Sequence, residues 1–190
     1  MPKISDVGSA KGHDPNSIAT FTGKFVCPHK LTLDDIDIKD IAHALSNICR
    51  FGGHSLKFYS VAQHSVIGAE VLKEMRTSKR IQLSFLLHDA GEAYLYDIAR
   101  PLKHLKEFEG YLIIQNKIDN LINEKFSVDI NNQMIKDLDN IMLSTEKRDV
   151  MPDREWSKLP TPLFRHIKPW EPETAESQFL ISFNEYTYKL

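Results

Sequence analysis

The stretch Leu86-Leu87-His88-Asp89-Ala90-Gly91-Glu92-Ala93-Tyr94 decides how the rest of the chain is organised. The apolar run over 81–87 leads directly into an imidazole and a carboxylate, and neither group is stable on a core-facing helix without a partner. A divalent metal ion satisfies both, because imidazole and carboxylate are ligands for Zn, Mn, Co or Mg. An ordinary exposed His-Asp pair at a helix end is the alternative, and this stretch alone leaves the choice open.

The composition is that of an ordinary globular protein. With 190 residues, of which 42% are hydrophobic and 26% charged, the chain suits one domain over 1–190. A net charge of −2 without a Lys/Arg block argues against nucleic acid and anionic membranes as partners. No apolar stretch reaches the roughly 20 residues of a membrane span. The N-terminus lacks the apolar core of a signal peptide and there are only two cysteines, so the expected location is the cytoplasm.

Helical signals dominate the chain, and strand signals are scarce. Three candidate N-caps each precede an apolar stripe of helical period: Asp37, Ser60 and Ser78. Helices are predicted over about 37–49, 61–75, 80–94, 109–124 and 132–150, with a helical turn at Pro101 and a closing helix around 179–186. We therefore expect an all-α bundle with at most a small β-hairpin within 19–27. Residues 1–17 are predicted to form a loose arm, and 151–190 a proline-rich segment that ends in the closing helix.

Three of these helices place an unexpected polar residue near an apolar stripe. They carry His64, the pair His88-Asp89, and Asp139. A lone histidine in such a place is commonly a hydrogen-bonded core residue, but an unpaired buried carboxylate is very costly. If the helices converge, two histidines and two carboxylates would ligate one divalent ion and leave positions open for water and substrate. His54 is a rival for the first ligand, although it lies in the glycine-broken loop over 50–54.

In these residues the chain resembles the HD-domain metal-dependent phosphohydrolases. The family signature H…HD…D matches His64, His88-Asp89 and Asp139, and the resemblance covers about residues 20–151. It implies an HD-domain helical bundle with these four residues as metal ligands. Glu92 and Asp97 stand four and nine residues after His88, as in the bacterial 5′-deoxynucleotidases of the superfamily.

The resemblance also implies a set of substrate-binding residues. Arg50, Lys103 and Lys136 match phosphate-binding positions, and Phe51 stands where several relatives carry a base-stacking Trp. Lys136 matches the phage dATP triphosphohydrolases in particular. Because Lys136 and Asp139 are three residues apart on one predicted helix, both are expected to face the site. Surface charge is the ordinary alternative for each of these cations.

The implied reaction is hydrolysis of a phosphate ester or anhydride of a small nucleotide, with Zn, Co, Mn or Mg as cofactor. The leading expectation is a dATP triphosphohydrolase that releases deoxyadenosine and triphosphate, similar to enzymes that deplete dATP in phages with modified adenine. If phage-encoded, it would act in the host cytoplasm. A 5′-deoxynucleotidase and a catalytically silent nucleotide-binding HD module are alternatives. A di-iron oxygenase is disfavoured, since the sequence offers no further spaced His/Asp set for a second iron.

The remaining expectations concern roles and assembly. Glu92 is expected to orient or deprotonate the attacking water, and Asp97 to donate a proton to the leaving oxygen or to anchor the sugar hydroxyl. Tyr94 is expected to pack rather than to act on substrate, and Glu146, Arg148 and Asp149 to form a charge network at a helix end. Relatives are dimers or hexameric rings, so a homo-oligomer is expected.

Overall fold

Helices make up most of the regular structure and the strands are short, which confirms the prediction of an all-α fold with a small hairpin. A computed structural model describes residues 14–156 and 158–188, so most of the arm predicted over 1–17 lies outside the described residues. The described part contains two antiparallel strands, β1 (Ile18–Ala19) and β2 (Phe25–Val26). Its α-helices are α1 (Ile38–Asn47), α2 (Val61–Glu74), α3 (Lys79–Leu86), α4 (Glu92–Leu95), α5 (Arg100–Lys103), α6 (Glu109–Phe126), α7 (Gln133–Val150) and α8 (Pro172–Thr187). None of these described helices combines the length and the hydropathy that crossing a membrane requires.

Polar side chains begin the main helices where the sequence predicts them. The Asp37 carboxylate accepts a hydrogen bond from an amide in the first turn of α1 at 3.0 Å, and the Ser60 hydroxyl does the same for α2 at 3.1 Å. Ser78 caps α3 and Asn132 caps α7 in the same way. Because the first amides of a helix have no acceptor within it, these caps fix where each helix begins.

The helix predicted over 80–94 is instead two helices, α3 and α4, joined by a turn over 87–91. His88 and Asp89 therefore lie in the turn, and the prediction of one continuous helix over 80–94 is wrong. The Nδ1 atom of His88 donates to the carbonyl of Phe85 at 2.6 Å. That contact occupies the acceptor that a continuing helix would offer to the Asp89 amide, so the imidazole itself helps to end α3.

Helix α2 lies at the centre of the fold. It contacts α1, α3, α7 and α8, and nearly all of its residues are buried. Gly68 allows α3 to approach closely, because a Cβ atom at this position would overlap the ring of Phe85. One apolar cluster joins α1, α2, α3, α6 and α8, and a second joins α2, α3 and α7. His64, in the first half of α2, is thus enclosed by packed helices.

The loop over 50–54 is broken by glycines, as the sequence predicts. Phe51, Gly52 and Gly53 have φ angles of 57°, 58° and 82°, in the left-handed region that glycine adopts without penalty and Phe51 adopts only with strain. The amide of Arg50 donates to the carbonyl of Tyr59 at 2.9 Å. This contact holds the start of the loop beside the beginning of α2.

Candidate metal centre

Three polar side chains that are distant in the sequence converge inside the bundle. His64 comes from α2, His88 from the turn after α3, and Asp139 from α7, and these three could together hold a metal ion. The Nε2 atoms of the two histidines are 3.3 Å apart. The Oδ1 atom of Asp139 lies 3.4 Å from Nε2 of His64 and 3.9 Å from Nε2 of His88. His64 is fully buried, whereas His88 and Asp139 are partly exposed.

The hydrogen bonds behind the two rings determine which nitrogen faces the cluster. His88 Nδ1 lies 2.6 Å from the Phe85 carbonyl, and His64 Nδ1 lies 2.5 Å from the carboxylate of Glu146. A carbonyl and a carboxylate only accept, so each Nδ1 carries a proton and each Nε2 atom faces the cluster. In their neutral form the two rings would direct two lone pairs and the Asp139 carboxylate at one another, so the arrangement requires either a proton on Nε2 or a cation. A cation satisfies this arrangement, and the donor set of two imidazoles and a carboxylate suits a transition-metal ion or zinc.

Asp89, the fourth predicted ligand, lies at the edge of the cluster. Its Oδ2 atom is 3.2 Å from Nε2 of His88 and 3.7 Å from Nε2 of His64. The same oxygen accepts from Nη1 of Arg50 at 3.4 Å. The closest grouping thus comprises three of the predicted ligands, with Asp89 beside it and shared with a guanidinium.

Glu146 is a residue of the site that the sequence prediction assigned wrongly to a helix-end charge network. It is fully buried, and its Oε1 atom accepts from His64 and, at 3.0 Å, from the hydroxyl of Tyr59. Its Oε2 atom accepts from Arg50 at 3.0 Å. The signal was available in the spacing, because Glu146 follows Asp139 by two helical turns and therefore lies on the same face of α7. Arg148 and Asp149 do form the expected pair, at 2.7 Å.

Arg50 lies among carboxylates. Its guanidinium bridges Asp89 and Glu146, only 12% of its side chain is exposed, and its buried Nε has no hydrogen-bond partner among residues 14–156 and 158–188. Its positive charge therefore stands next to the metal cluster. Phe51, the next residue, lies at the side of the loop and meets Trp156 edge to face at 6.1 Å.

The other predicted cations differ in how close they come to the cluster. Lys103 is half-buried, with its ammonium 5.7 Å from the ring centroid of Tyr111, and its charge acts on Glu92 and Asp97. Lys136 is exposed, and its ammonium makes no hydrogen bond or ion pair within the described residues. The cation that reaches Asp139 is Arg100, at 3.3 Å, a residue that sequence reasoning did not select. Its side chain is 61% exposed, so it remains accessible from solvent.

Behind the cluster, a cavity of about 10 Å³ is lined by His88, Asp89, Gly91, Glu92, Tyr111, Gln115 and Asp119. This volume is close to the minimum that holds one water molecule. The Oε2 atom of Glu92 and the Oε1 atom of Gln115 are buried without a protein partner in the described chain. A Cβ atom on Gly91 would stand 3.0 Å from Oδ1 of Asp119, so the glycine makes room for that carboxylate. Gln115 and Asp119 belong to α6 and carry no motif that sequence reasoning could use.

The carboxyl groups of the site differ in the direction of their pKa shifts. Burial, reinforced by the charges of Asp89 and Asp97, raises the pKa of Glu92 well above its usual range. Burial also raises the pKa of Asp97, against Arg50, and it raises the pKa of Asp119 to about 7 together with the charge of Asp89. Burial would raise the pKa of Asp139 as well, but its hydrogen bond to His64 and the positive charges around it hold that pKa far below the usual range.

His64 itself titrates unusually in the absence of an ion. Burial and the charge of Arg50 act to lower its pKa, but Glu146 and Asp139 outweigh them and raise the pKa of His64 to about 9. A proton on Nε2 thus takes the place in the metal-free protein that a metal ion would take.

Two other residues weighed in the sequence lie outside the cluster. His54 is exposed in the loop and is not part of the group that could hold a metal, which favours His64. Tyr94 is buried in the core, as expected, and its hydroxyl accepts from the amide of Asp37 at 3.3 Å.

No protein-family model matches the chain. The chain is 40% identical over 174 residues to Uncharacterized protein YfdR of Escherichia coli (strain K12), in an alignment that covers 88% of this chain and 94% of that protein. It is also 33% identical over 98 residues to an uncharacterized protein of Rhodobacter capsulatus, in an alignment that covers 50% of each chain. Neither name assigns an activity.

Proposed function

The chain belongs to the same family as Escherichia coli YfdR, and we propose that it is a metal-dependent phosphohydrolase of nucleotides. One observation carries the proposal. The Nε2 atoms of two imidazoles and the Asp139 carboxylate face one another, with the guanidiniums of Arg50 and Arg100 beside them. A metal ion surrounded by cations suits a substrate group that carries several negative oxygens, and phosphate is such a group.

His64, His88 and Asp139 would hold the ion, with Asp89 at its edge, and the proposed ion is divalent: Zn, Co, Mn or Mg. When bound, it would polarise a phosphoryl oxygen and make water more acidic. Glu146 would keep the His64 ring in the orientation that presents Nε2. This arrangement resembles the HD-domain phosphohydrolases in its donor set.

The remaining side chains divide the work of hydrolysis. Glu92, buried and with one oxygen unpartnered, would orient a water molecule and accept its proton as the water oxygen attacks phosphorus. The bond between phosphorus and the leaving oxygen then breaks, and Asp97 would supply the proton to that oxygen. Arg50, Lys103 and Arg100 would bind phosphate oxygens.

The specific reaction that we favour is attack at the α-phosphorus of dATP, with release of deoxyadenosine and triphosphate. A triphosphate needs cations beyond those that hold one phosphate, and Arg100 contacts Asp139 while the exposed Lys136 stands three residues before Asp139 on α7. Phe51 beside Arg50 would stack on the base. The second candidate is a 5′-deoxynucleotidase. It is favoured because the Lys136 ammonium makes no contact with the described part of the site, and a monophosphate does not need this additional cation.

Product analysis tests these assignments. The purified protein is incubated with each deoxynucleoside triphosphate and monophosphate in the presence of Co²⁺, Mn²⁺, Zn²⁺ or Mg²⁺, and products are separated by chromatography. Deoxyadenosine and triphosphate from dATP support the favoured reaction. Orthophosphate released from monophosphates, with dATP intact, identifies the second candidate. If no product forms with any of the metals, the proposed enzymatic activity is wrong and the catalytically silent nucleotide-binding module remains.

Paired variants on α7 link the activity to the site. Asp139→Asn should abolish turnover, whereas Asp137→Asn, the same change at an exposed position of the same helix, should not. Lys136→Ala should reduce triphosphate turnover far more than monophosphate turnover if the longer phosphate chain reaches it. The proposed homo-oligomer, a dimer or a hexamer in the cytoplasm, is tested by light scattering of the same preparation.

A further inference from the structure

A cleft in the described chain is lined by residues other than His64, His88, Asp89 and Asp139. It has a volume of about 540 Å³ and is lined by Ser144, Lys147, Arg148, Glu155, Trp156, Lys158, Leu159, Pro160 and Pro162. This volume is within the range of small-molecule sites. We propose that the cleft is a second binding site, separate from the metal centre, for a planar ring that carries phosphate, such as a nucleotide.

Ser144 gives the cleft a buried polar group without a partner. The residue is only 4% exposed, it lines the cleft, and its hydroxyl has no hydrogen-bond partner in the described structure. Leaving a buried hydroxyl unsatisfied costs about 1–3 kcal/mol, so such a group indicates a ligand or water that completes it. A phosphate oxygen would accept from this hydroxyl.

The charged residues of the cleft favour an anion. The ammonium of Lys147 has one ionic neighbour, Asp153 at 3.8 Å, whose side chain is fully exposed and therefore a weak partner. Lys158 is exposed. Arg148 is committed to the structure instead, because it donates to Asp149 and to the carbonyls of Leu163 and Arg165. Two lysines thus remain for a ligand, against one carboxylate, Glu155.

The apolar part of the cleft favours a ring. Trp156 is 37% exposed, and Leu159, Pro160 and Pro162 complete the apolar lining. The indole meets Phe51 edge to face, so that ring covers at most one of the two indole faces and leaves the other for stacking on a flat ligand. A ring on Trp156 and a phosphate between the lysines and Ser144 would use both parts of the lining.

The placement on α7 separates this cleft from the metal centre. Asp139 and Glu146, seven residues apart, lie on one face of the helix. Ser144 follows Asp139 by five residues and lies about 140° around the helix from it. The proposal therefore requires binding that does not depend on metal.

Calorimetric titration of metal-free protein tests the proposal, since it needs neither metal nor turnover. The protein is treated with a chelator, and dATP, dAMP, deoxyadenosine and inorganic triphosphate are titrated separately into the native chain and into Asp139→Ala. We expect 1:1 binding of dATP and dAMP to both proteins, and binding at least tenfold weaker for deoxyadenosine and for triphosphate, because each lacks one part of the ligand.

Variants of the lining locate the binding. Lys147→Ala and Lys158→Ala should each weaken dATP binding about fivefold or more, while Lys39→Ala, the same change at an exposed position on α1, should leave it unchanged. Ser144→Ala should weaken binding without lowering the melting temperature, because the hydroxyl has no partner to lose.

Three results in which nucleotide binding is detected would overturn the proposal. They are loss of nucleotide binding in Asp139→Ala, equal binding of triphosphate and dATP, and binding that none of the lining variants changes. Absence of binding by every probe would also overturn it. None of these outcomes bears on metal-dependent turnover, so failure here is distinct from failure of the proposed enzyme.

Discussion

At the scale of single residues, Glu146 both fixes the orientation of the His64 ring and pairs with the positive charge of Arg50. Its two oxygens accept from His64, Tyr59 and Arg50 inside the core. We expect Glu146→Gln to weaken metal binding about 10–100-fold, as loss of a partner behind a metal-ligating histidine does. Metal affinity measured by chelator competition checks this, with Asp137→Asn as the control on the same helix. Unchanged affinity would show that the ring keeps its orientation without the carboxylate.

The titration of His64 predicts how metal binding depends on pH. The folded protein without metal raises the pKa of His64 to about 9, above the usual value of 6.5. The raised pKa stabilises the metal-free fold below the unfolded pKa, and this contribution is lost as the pH rises towards 9. A metal ion competes for the same nitrogen, so affinity should increase by up to about tenfold per pH unit until that pKa is passed.

Calorimetric titration of metal into the protein, in buffers of different ionisation enthalpy, measures the number of protons released when the metal binds. We expect about one proton per ion near neutral pH and fewer as the pH approaches the pKa of His64. Glu146→Gln removes a carboxylate that raises this pKa, so the release should shift to lower pH. Binding without proton release near neutral pH would show that Nε2 is already free.

A substitution at Glu92 distinguishes a role in catalysis from a role in metal binding. Glu92 lines the cavity behind the cluster but is not a member of the group that could hold the ion. Glu92→Gln should therefore retain the metal and reduce turnover by about 10²–10⁴-fold, the usual contribution of an acid or base group. Metal content and turnover measured on one preparation check both parts. Turnover within a few-fold of the native chain would make Glu92 structural.

At the scale of secondary-structure elements, the close packing of α2 on α3 depends on Gly68. A Cβ atom there would overlap the ring of Phe85, which itself lies against the rings of His64 and His88. We expect Gly68→Ala to lower stability by about 1–3 kcal/mol through overpacking and to weaken metal binding as well. Gly110→Ala on α6 is the matched control, because a Cβ atom there meets nothing within 4 Å. Denaturant unfolding and metal titration of both variants distinguish the two positions.

The elements themselves could be read from the sequence wherever a local signal determines them. Asp37, Ser60 and Ser78 begin helices because the capping interaction is local, and the apolar stripes follow the helical period. The end of α3 could not be read in this way, because it depends on the His88 ring donating to Phe85.

The residues of the candidate site likewise fall into those that a local sequence pattern indicates and those that only tertiary contacts bring into place. His64, His88 and Asp139 were recognisable as polar residues near apolar stripes, and the structure brings them together. Gln115 and Asp119 reach the cavity only because α6 packs against the turn over 87–91, a contact that no local pattern on α6 encodes. Arg100 reaches Asp139 for the same kind of reason.

At the scale of the whole molecule, the proposed metal site ties together α2, the turn after α3 and α7, which are far apart in the sequence. Metal that binds only the folded chain should therefore stabilise all of it, by about 2.7 kcal/mol when free metal exceeds the dissociation constant 100-fold. For a chain of this size that corresponds to a rise of about 5–10 °C in melting temperature. Thermal unfolding with and without chelator measures it, and Asp139→Ala should show no difference between the two conditions. An equal melting temperature for native chain with and without metal would contradict the site.

The separation of the ligands along the chain has a consequence for biosynthesis. His64 and His88 are 24 residues apart and emerge from the ribosome early, whereas Glu146 follows His64 by 82 residues. Because domains form as the chain is synthesised from its N-terminus, α2 and α3 can pair while α7 is still being translated. The nascent chain thus exposes His64 and His88 before Asp139 and Glu146, which complete the site, have been made. If the site binds metal as proposed, loading would be a late event, and a ribosome stalled before α7 would carry a chain that lacks Asp139 and cannot retain the ion.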